Sequence, residues 1–133
     1  MNRYLTCNCF NENISIETNF SVTQEQLIPI EGNERKLENI NYTCSWFPID
    51  IDSSKPFVII PIKDNPKLLK YTLENFKQFK FYTLVNIIIV DDRSKEDMQL
   101  ITRHYPVNFL KTHNNIGFNY SMLNNIGAMV AKK

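Results

Sequence analysis

Glycine is nearly missing from this chain, with 3 among 133 residues. No G-x-G-x-x-G and no Walker sequence is present, which disfavours a Rossmann dehydrogenase and a P-loop enzyme. No run of about 18 apolar residues occurs, so no membrane span is expected. Neither sign of charge is in excess. The formal net charge is +1, which suggests no nucleic-acid partner and no strongly acidic one. The first residues, Met1-Asn-Arg-Tyr-Leu-Thr-Cys-Asn-Cys-Phe10, lack the apolar core of a signal peptide. A cytoplasmic setting is the default. Cysteine is sparse too: Cys7, Cys9 and Cys44. An odd number with no secretion signal argues against a disulfide framework. Cys7 and Cys9 have no second Cys or His pair at a ligand-like distance. No Ser/His/Asp or Cys/His arrangement is readable, and His104 and His113 read as surface residues.

What the chain does have is concentrated after Pro56. Ile87-Ile-Ile-Val90 runs directly into Asp91, Asp92, Arg93 and Ser94. A continuous β-branched run of this kind predicts a strand buried on both faces, as in a parallel sheet. Two carboxylates at its end then stand at the sheet rim, where open α/β folds bind ligands. Phe57-Val-Ile-Ile-Pro61-Ile62 predicts an earlier strand of the same type. Asp64 or Asn65 can cap the helix that follows, and Pro66 suits its first turn. Leu68, Leu69, Thr72, Leu73, Phe76 and Phe79 recur at helical spacing and predict its buried side. Ser94 is expected to cap a second helix, with Asp97 near its start. Met98, Leu100, Ile101 and Tyr105 supply that helix's apolar side, and Pro106 ends it.

Val107–Leu110 predicts a short third strand, and Thr112–Gly117 a loop. A last helix opens at Asn119 or Ser121. Its buried side is Met122, Leu123, Ile126, Met129 and Val130, and Gly127 fits close packing against the sheet. Strand and helix thus alternate three times, which predicts right-handed parallel crossovers. The fold class is α/β: three layers, α-β-α, with a mostly parallel sheet. Three such strands leave an open edge: either further strands are missing, or residues 1–55 or a partner chain cover it.

Residues 1–55 read as an irregular leader or linker of unknown role. Asn, Glu, Thr and Ser dominate there, without a sustained period. Phe20–Val22 and Gln26–Ile30 are candidates for short strands or packing tails. Glu31-Gly32-Asn33-Glu34 signals a turn. Trp46-Phe47-Pro48-Ile49 is an apolar patch for docking on the domain that follows, and Asp50–Pro56 reads as a linker.

For the acids, the residue types alone leave three roles open: metal binding, hydrogen bonding to a base or ribose, and helix capping. Lys63 suits a diphosphate or an exposed turn equally. Asn115 and Gly117 mark a turn that allows positive φ or close ligand approach.

Three stretches in order resemble the inverting, family-two type of glycosyltransferase with the GT-A fold. Ile59-Ile60-Pro61 through Asn65-Pro66 matches the family's first strand and turn. Val90-Asp91-Asp92-Arg93-Ser94 matches its V-D-D-x-S strand end. Asn115-Ile-Gly117-Phe118 and Asn125-Ile126-Gly127-Ala128 match its third element and the helix after it. The resemblance covers residues 56–133. It implies a partial GT-A nucleotide-binding domain, a Rossmann-like half, that takes a nucleotide-sugar donor such as a UDP-sugar. A glycan acceptor and polysaccharide biosynthesis are implied with it. By resemblance, Pro61 and Lys63 border the base, Asp92 accepts from the uracil imide, and Asp91 with Ser94 supports the strand end. Asn115 and Gly117 line the pocket.

The full-length family is expected to use a divalent metal, Mn²⁺ or Mg²⁺, bound by an Asp-x-Asp after a fourth strand. Asp50-Ile-Asp52 has those letters but precedes the first strand. The chain therefore reads as truncated before that motif, with the metal ligands and the catalytic base both lacking. It is expected to be inactive alone, in the cytoplasm or at the membrane periphery. The competing readings are a non-catalytic α/β interaction module and a phospho-receiver. Leu110-Lys111-Thr112 at the third strand end lacks the acid a receiver needs.

Overall fold

The computed structural model describes residues 17–113 and 120–131. Among these, five strands form one mixed sheet. They are β1 (Thr18–Pro29), β2 (Arg35–Phe47), β3 (Phe57–Ile62), β4 (Asn86–Asp92) and β5 (Asn108–Thr112). Three α-helices accompany them: α1 (Pro66–Gln78), α2 (Gln99–Thr102) and α3 (Tyr120–Ala131). The strand order is β1-β2-β5-β4-β3. The expected α/β class and parallel core are observed: β3, β4 and β5 pair in parallel.

The core has two faces because β4 is buried on both. Ile88 and Val90 pack with Leu110, Leu123, Ile126 and Val130 under α3. Ile87 and Ile89 pack with Leu69, Leu73, Met98 and Phe109 under α1 and α2. Alternation along the strand makes this division. No residue of Ile87–Val90 is more than 1% exposed. Their gross burial contributes on the order of 8 kcal/mol, an upper value because unfolded chains already shield some surface.

Helix α1 starts where the sequence predicts. Asn65 is its N-cap, with Leu68 N–H donating to Asn65 Oδ1 at 3.1 Å. Its buried residues are Leu69 and Leu73. Leu68 and Phe79 are exposed, at 57% and 73%, and so do not belong to the predicted buried side. The second helix is reduced to a single turn at Gln99–Thr102. Met98 and Tyr105 are buried there, while Leu100 faces out. In α3 the predicted Leu123, Ile126 and Val130 are buried, and Met129 is largely exposed.

The reading of 1–55 as irregular does not hold for 18–47. β1 and β2 pair antiparallel from Thr18↔Trp46 to Pro29↔Arg35. Glu34 N–H donates to Glu31 O at 2.9 Å, and Gly32 takes the positive φ of +56° that this turn requires. The base of the hairpin joins the sheet, with Cys44↔Thr112 and Phe47↔Phe109 marking the β2–β5 register. The edge of the parallel core at β5 is thus covered by this chain's own hairpin. Among the described residues, the edge at β3 has no neighbour.

Residues 50–56 are a loop tied to the sheet floor rather than a free linker. Asn86 Nδ2 donates to Asp52 O (2.7 Å) and Lys55 O (3.1 Å), and its Oδ1 accepts from Asp52 N–H. Asn108 does the same nearby, accepting from Ile49 N–H at 2.9 Å and donating to Ile87 O at 3.1 Å. Both asparagines are buried, and these bonds meet their amide groups.

Candidate functional site at the strand ends

The two acids separate by strand alternation. Asp92 follows Ile88 and Val90 and lies on the α3 face, while Asp91 follows Ile87 and Ile89 and lies on the α1 face. Both are nearly inaccessible, at 0% for Asp91 and 5% for Asp92.

Asp91 holds the turn. Its Oδ1 accepts from Ser94 N–H at 3.3 Å and from the Ser94 hydroxyl through a short contact. Ser94 Oγ in turn accepts from Asp64 N–H at 2.8 Å, and Asp64 Oδ1 accepts from Lys95 N–H at 2.7 Å. The turns after β3 and β4 are therefore stitched together. This answers a local need, since Asp64 and Arg93 both sit at φ 47° without being glycine. Such conformations cost on the order of 1 kcal/mol each and persist when surrounding bonds hold them. Ser94 was expected to cap a helix; here its hydroxyl joins the two turns instead. The helix start is served by Asp97, whose Oδ1 accepts from Gln99 N–H at 3.1 Å.

Lys63 is also engaged at the rim. Its Nζ donates to Asp92 O at 2.8 Å and lies 3.9 Å from Asp64 Oδ2. Pro61 pairs with Val90 on the outer strand, where its missing N–H costs the ladder least. Pro61 and Lys63 border a cleft of about 390 Å³ between β3 and α1, with Asn65, Leu68 and Thr72 on its far side. Asp91 and Asp92 do not line it, and Asp92 faces the opposite side of the sheet.

Burial sets the protonation of the acids. Loss of water pushes the Asp91 carboxyl up to about 6, against the pull of Ser94 and Lys111. Asp92 is pushed up by burial as well, while Lys63 and the Thr112 hydroxyl draw it back. Thr112 Oγ1 lies 3.4 Å from Asp92 Oδ1. Asp91 Oδ2 has no hydrogen-bond partner among the described residues.

A stability step follows. The folded chain keeps the Asp91 proton to a higher pH than the unfolded chain does. The stability this proton confers is complete below the unfolded value near pH 4 and is lost as pH rises through about 6. The unfolding free energy should fall by roughly 2–3 kcal/mol from this group. Urea titrations at a series of pH values should show that step in the wild type and a flatter profile in Asp91→Asn. Parallel profiles would contradict it.

Of the sequence-predicted site residues, Pro61, Lys63, Asp91, Asp92 and Ser94 come together at one rim. Asn115 and Gly117 lie outside the described residues. Three residues not singled out as site residues also meet here. Thr112 contacts Asp92. Burial, and after it the Asp92 charge, pushes the Tyr42 phenol up to about 12. His113 Nε2 is 2.7 Å from Ser45 Oγ. Thr112 meets Asp92 through the β4–β5 register, and His113 meets Ser45 where β2 lies against β5, so no local pattern marks these contacts.

The described residues do not fit a divalent metal. The two acids point to opposite faces, and Ser94 occupies Asp91 Oδ1. Among the described residues no group of three or more His, Cys, Asp or Glu side chains converges. No described helix is long and apolar enough to cross a membrane.

A parallel α/β core carrying acids at the carboxyl ends of its strands is consistent with part of a GT-A, Rossmann-like fold. The profile of glycosyl transferase family 2 matches residues 57–129. That is more than half of the chain, and the chain belongs to this family. No curated protein and no solved structure matches it.

Proposed function

We propose that residues 57–129 bind the uridine part of a UDP-sugar donor, with Asp92 as the reading group. The observation that carries this is the placement of the Asp92 carboxylate. It ends the buried strand β4, it is held at the rim, and Ser94 does not occupy it as it does Asp91. A carboxylate so placed accepts strongly from the imide N–H of uracil. Lys63 fixes the Asp92 backbone, Pro61 borders the base, and Asp91 with Ser94 holds the turn. The family resemblance assigns Asn115 and Gly117 to the same nucleotide.

The sugar passes to a glycan acceptor in the building of a polysaccharide. Donor binding is the activity assigned to these residues. The open edge of β3 is a place for a further strand or a partner chain. The protein works in the cytoplasm, and the lysine-rich outer side of α1 (Lys67, Lys70, Lys77) suits a place beside the membrane.

Calorimetry with uridine, UDP and ADP tests the reading. Uridine and UDP should bind and ADP should not. Equal binding of all three would remove base reading from the account, and no binding of uridine or UDP would remove the site.

A further inference from the structure

The N-terminal hairpin does more than cover an edge. At the rim, β2 grips the end of β5 from both faces. On the α1 face, His113 Nε2 meets Ser45 Oγ at 2.7 Å, and Ser45 Oγ donates to Asn19 Oδ1 at 2.8 Å. Ser45 is 4% exposed, and its neighbours satisfy the hydroxyl without water. The backbone adds a second tie, with His113 N–H donating to Thr43 O at 2.9 Å. On the α3 face, Cys44 is the cross-strand partner of Thr112, and both are buried. Tyr42 lies on that same face. Thr112 is the last residue of β5, and its hydroxyl lies 3.4 Å from Asp92 Oδ1.

We propose that Ser45 and His113 are positioning residues of the uridine site, a clasp from the N-terminal hairpin that fixes Thr112 and through it the Asp92 carboxylate. The inference rests on the uridine reading above. The two residues touch no ligand themselves; they act by holding the strand end. A shift of well under 1 Å at Thr112 is enough to misalign a charged acceptor against a flat base, because such bonds weaken steeply off line. With the Ser45 hydroxyl donating to Asn19 Oδ1, the Ser45–His113 bond takes the tautomer in which Nε2–H donates to Ser45 Oγ.

The test is uridine binding by the full chain in four forms: wild type, Ser45→Ala, His113→Ala and His113→Gln. Trp46, the only tryptophan, sits in β2 opposite Leu110 and reports by its emission whether the hairpin stays docked. Loss of one neutral hydrogen bond should weaken uridine about fivefold in Ser45→Ala and His113→Ala. Trp46 emission should stay unchanged. His113→Gln, whose amide can donate to Ser45, should bind within about twofold of wild type by the same scale. Wild-type-like binding by both alanine variants overturns the clasp and leaves the uridine reading standing. Equal losses in His113→Gln and His113→Ala also overturn it, since the hydrogen bond would then not be the cause. If the wild type itself binds no uridine, both the reading and the clasp fall.

Discussion

Gly127→Val should unseat α3 and cost about 3 kcal/mol of stability, at the upper end of overpacking penalties. A Cβ at position 127 would stand 2.7 Å from Ile59 Cγ2 and 3.2 Å from Val90 Cγ2. The first distance is shorter than atoms tolerate. Neither neighbour can swing aside, because both methyls are fixed directly to branched carbons on strands in the core, and β-branched side chains have few rotamers. Valine adds two further methyl groups beyond the clashing carbon. Gly127→Ala meets the same first contact but gains about 1 kcal/mol of helix propensity, so its net loss should be smaller. Chemical unfolding of the two variants beside wild type measures the order. A valine variant as stable as wild type would mean that α3 does not lie on Ile59 and Val90.

Asp92→Ala should weaken uridine binding by about 10- to 100-fold, the equivalent of a charge-assisted hydrogen bond. It should leave the fold intact. The second half is as informative as the first. Asp92 is nearly inaccessible, and burial disfavours its charge, so its removal relieves a desolvation cost. Stability should hold or rise while affinity falls. Asp92→Asn should fall between, because an amide oxygen still accepts but without the charge. Affinity unchanged in Asp92→Ala would remove this residue from the site.

The parts of the fold that can be read from the chain are those whose burial is locally encoded. β4 is buried on both faces, so its Ile87–Val90 stretch is an unbroken β-branched run, which reads as a central strand of a parallel sheet. α1 carries its cap and its 3.6-residue period within its own residues. The hairpin was harder because its outer half is exposed, and the polar residues there hide the pattern. Yet Ile40, Tyr42, Cys44 and Trp46 alternate with polar residues over seven positions, which is the signature of a half-buried strand. All four belong to the α3-side core or pack on it. That signal was available and was masked by the Asn- and Glu-rich surroundings.

The site divides in the same manner. The position of its acids was legible, because an unbroken apolar run puts the residues that follow it at the end of a buried strand. Their division of labour followed from alternation alone. Local rules favour Ser94 as a cap, but Asp91, three residues back, and Asp64, 30 residues back on the turn after β3, offer its hydroxyl better partners. Thr112, Ser45 and His113 could not be found from sequence. Thr112 meets Asp92 only once β4 and β5 pair, and Ser45 meets His113, 68 positions away, only once β2 is laid against β5.

The most direct measurement is an amide chemical-shift titration of the ¹⁵N-labelled protein with uridine. The account predicts saturable shifts at Ile62, Asp64, Asp92, Ser94 and Thr112, with none at the hairpin turn around Gly32. Shifts absent from these strand ends, or gathered on the β3–α1 cleft beside Leu68 and Thr72 alone, would contradict it.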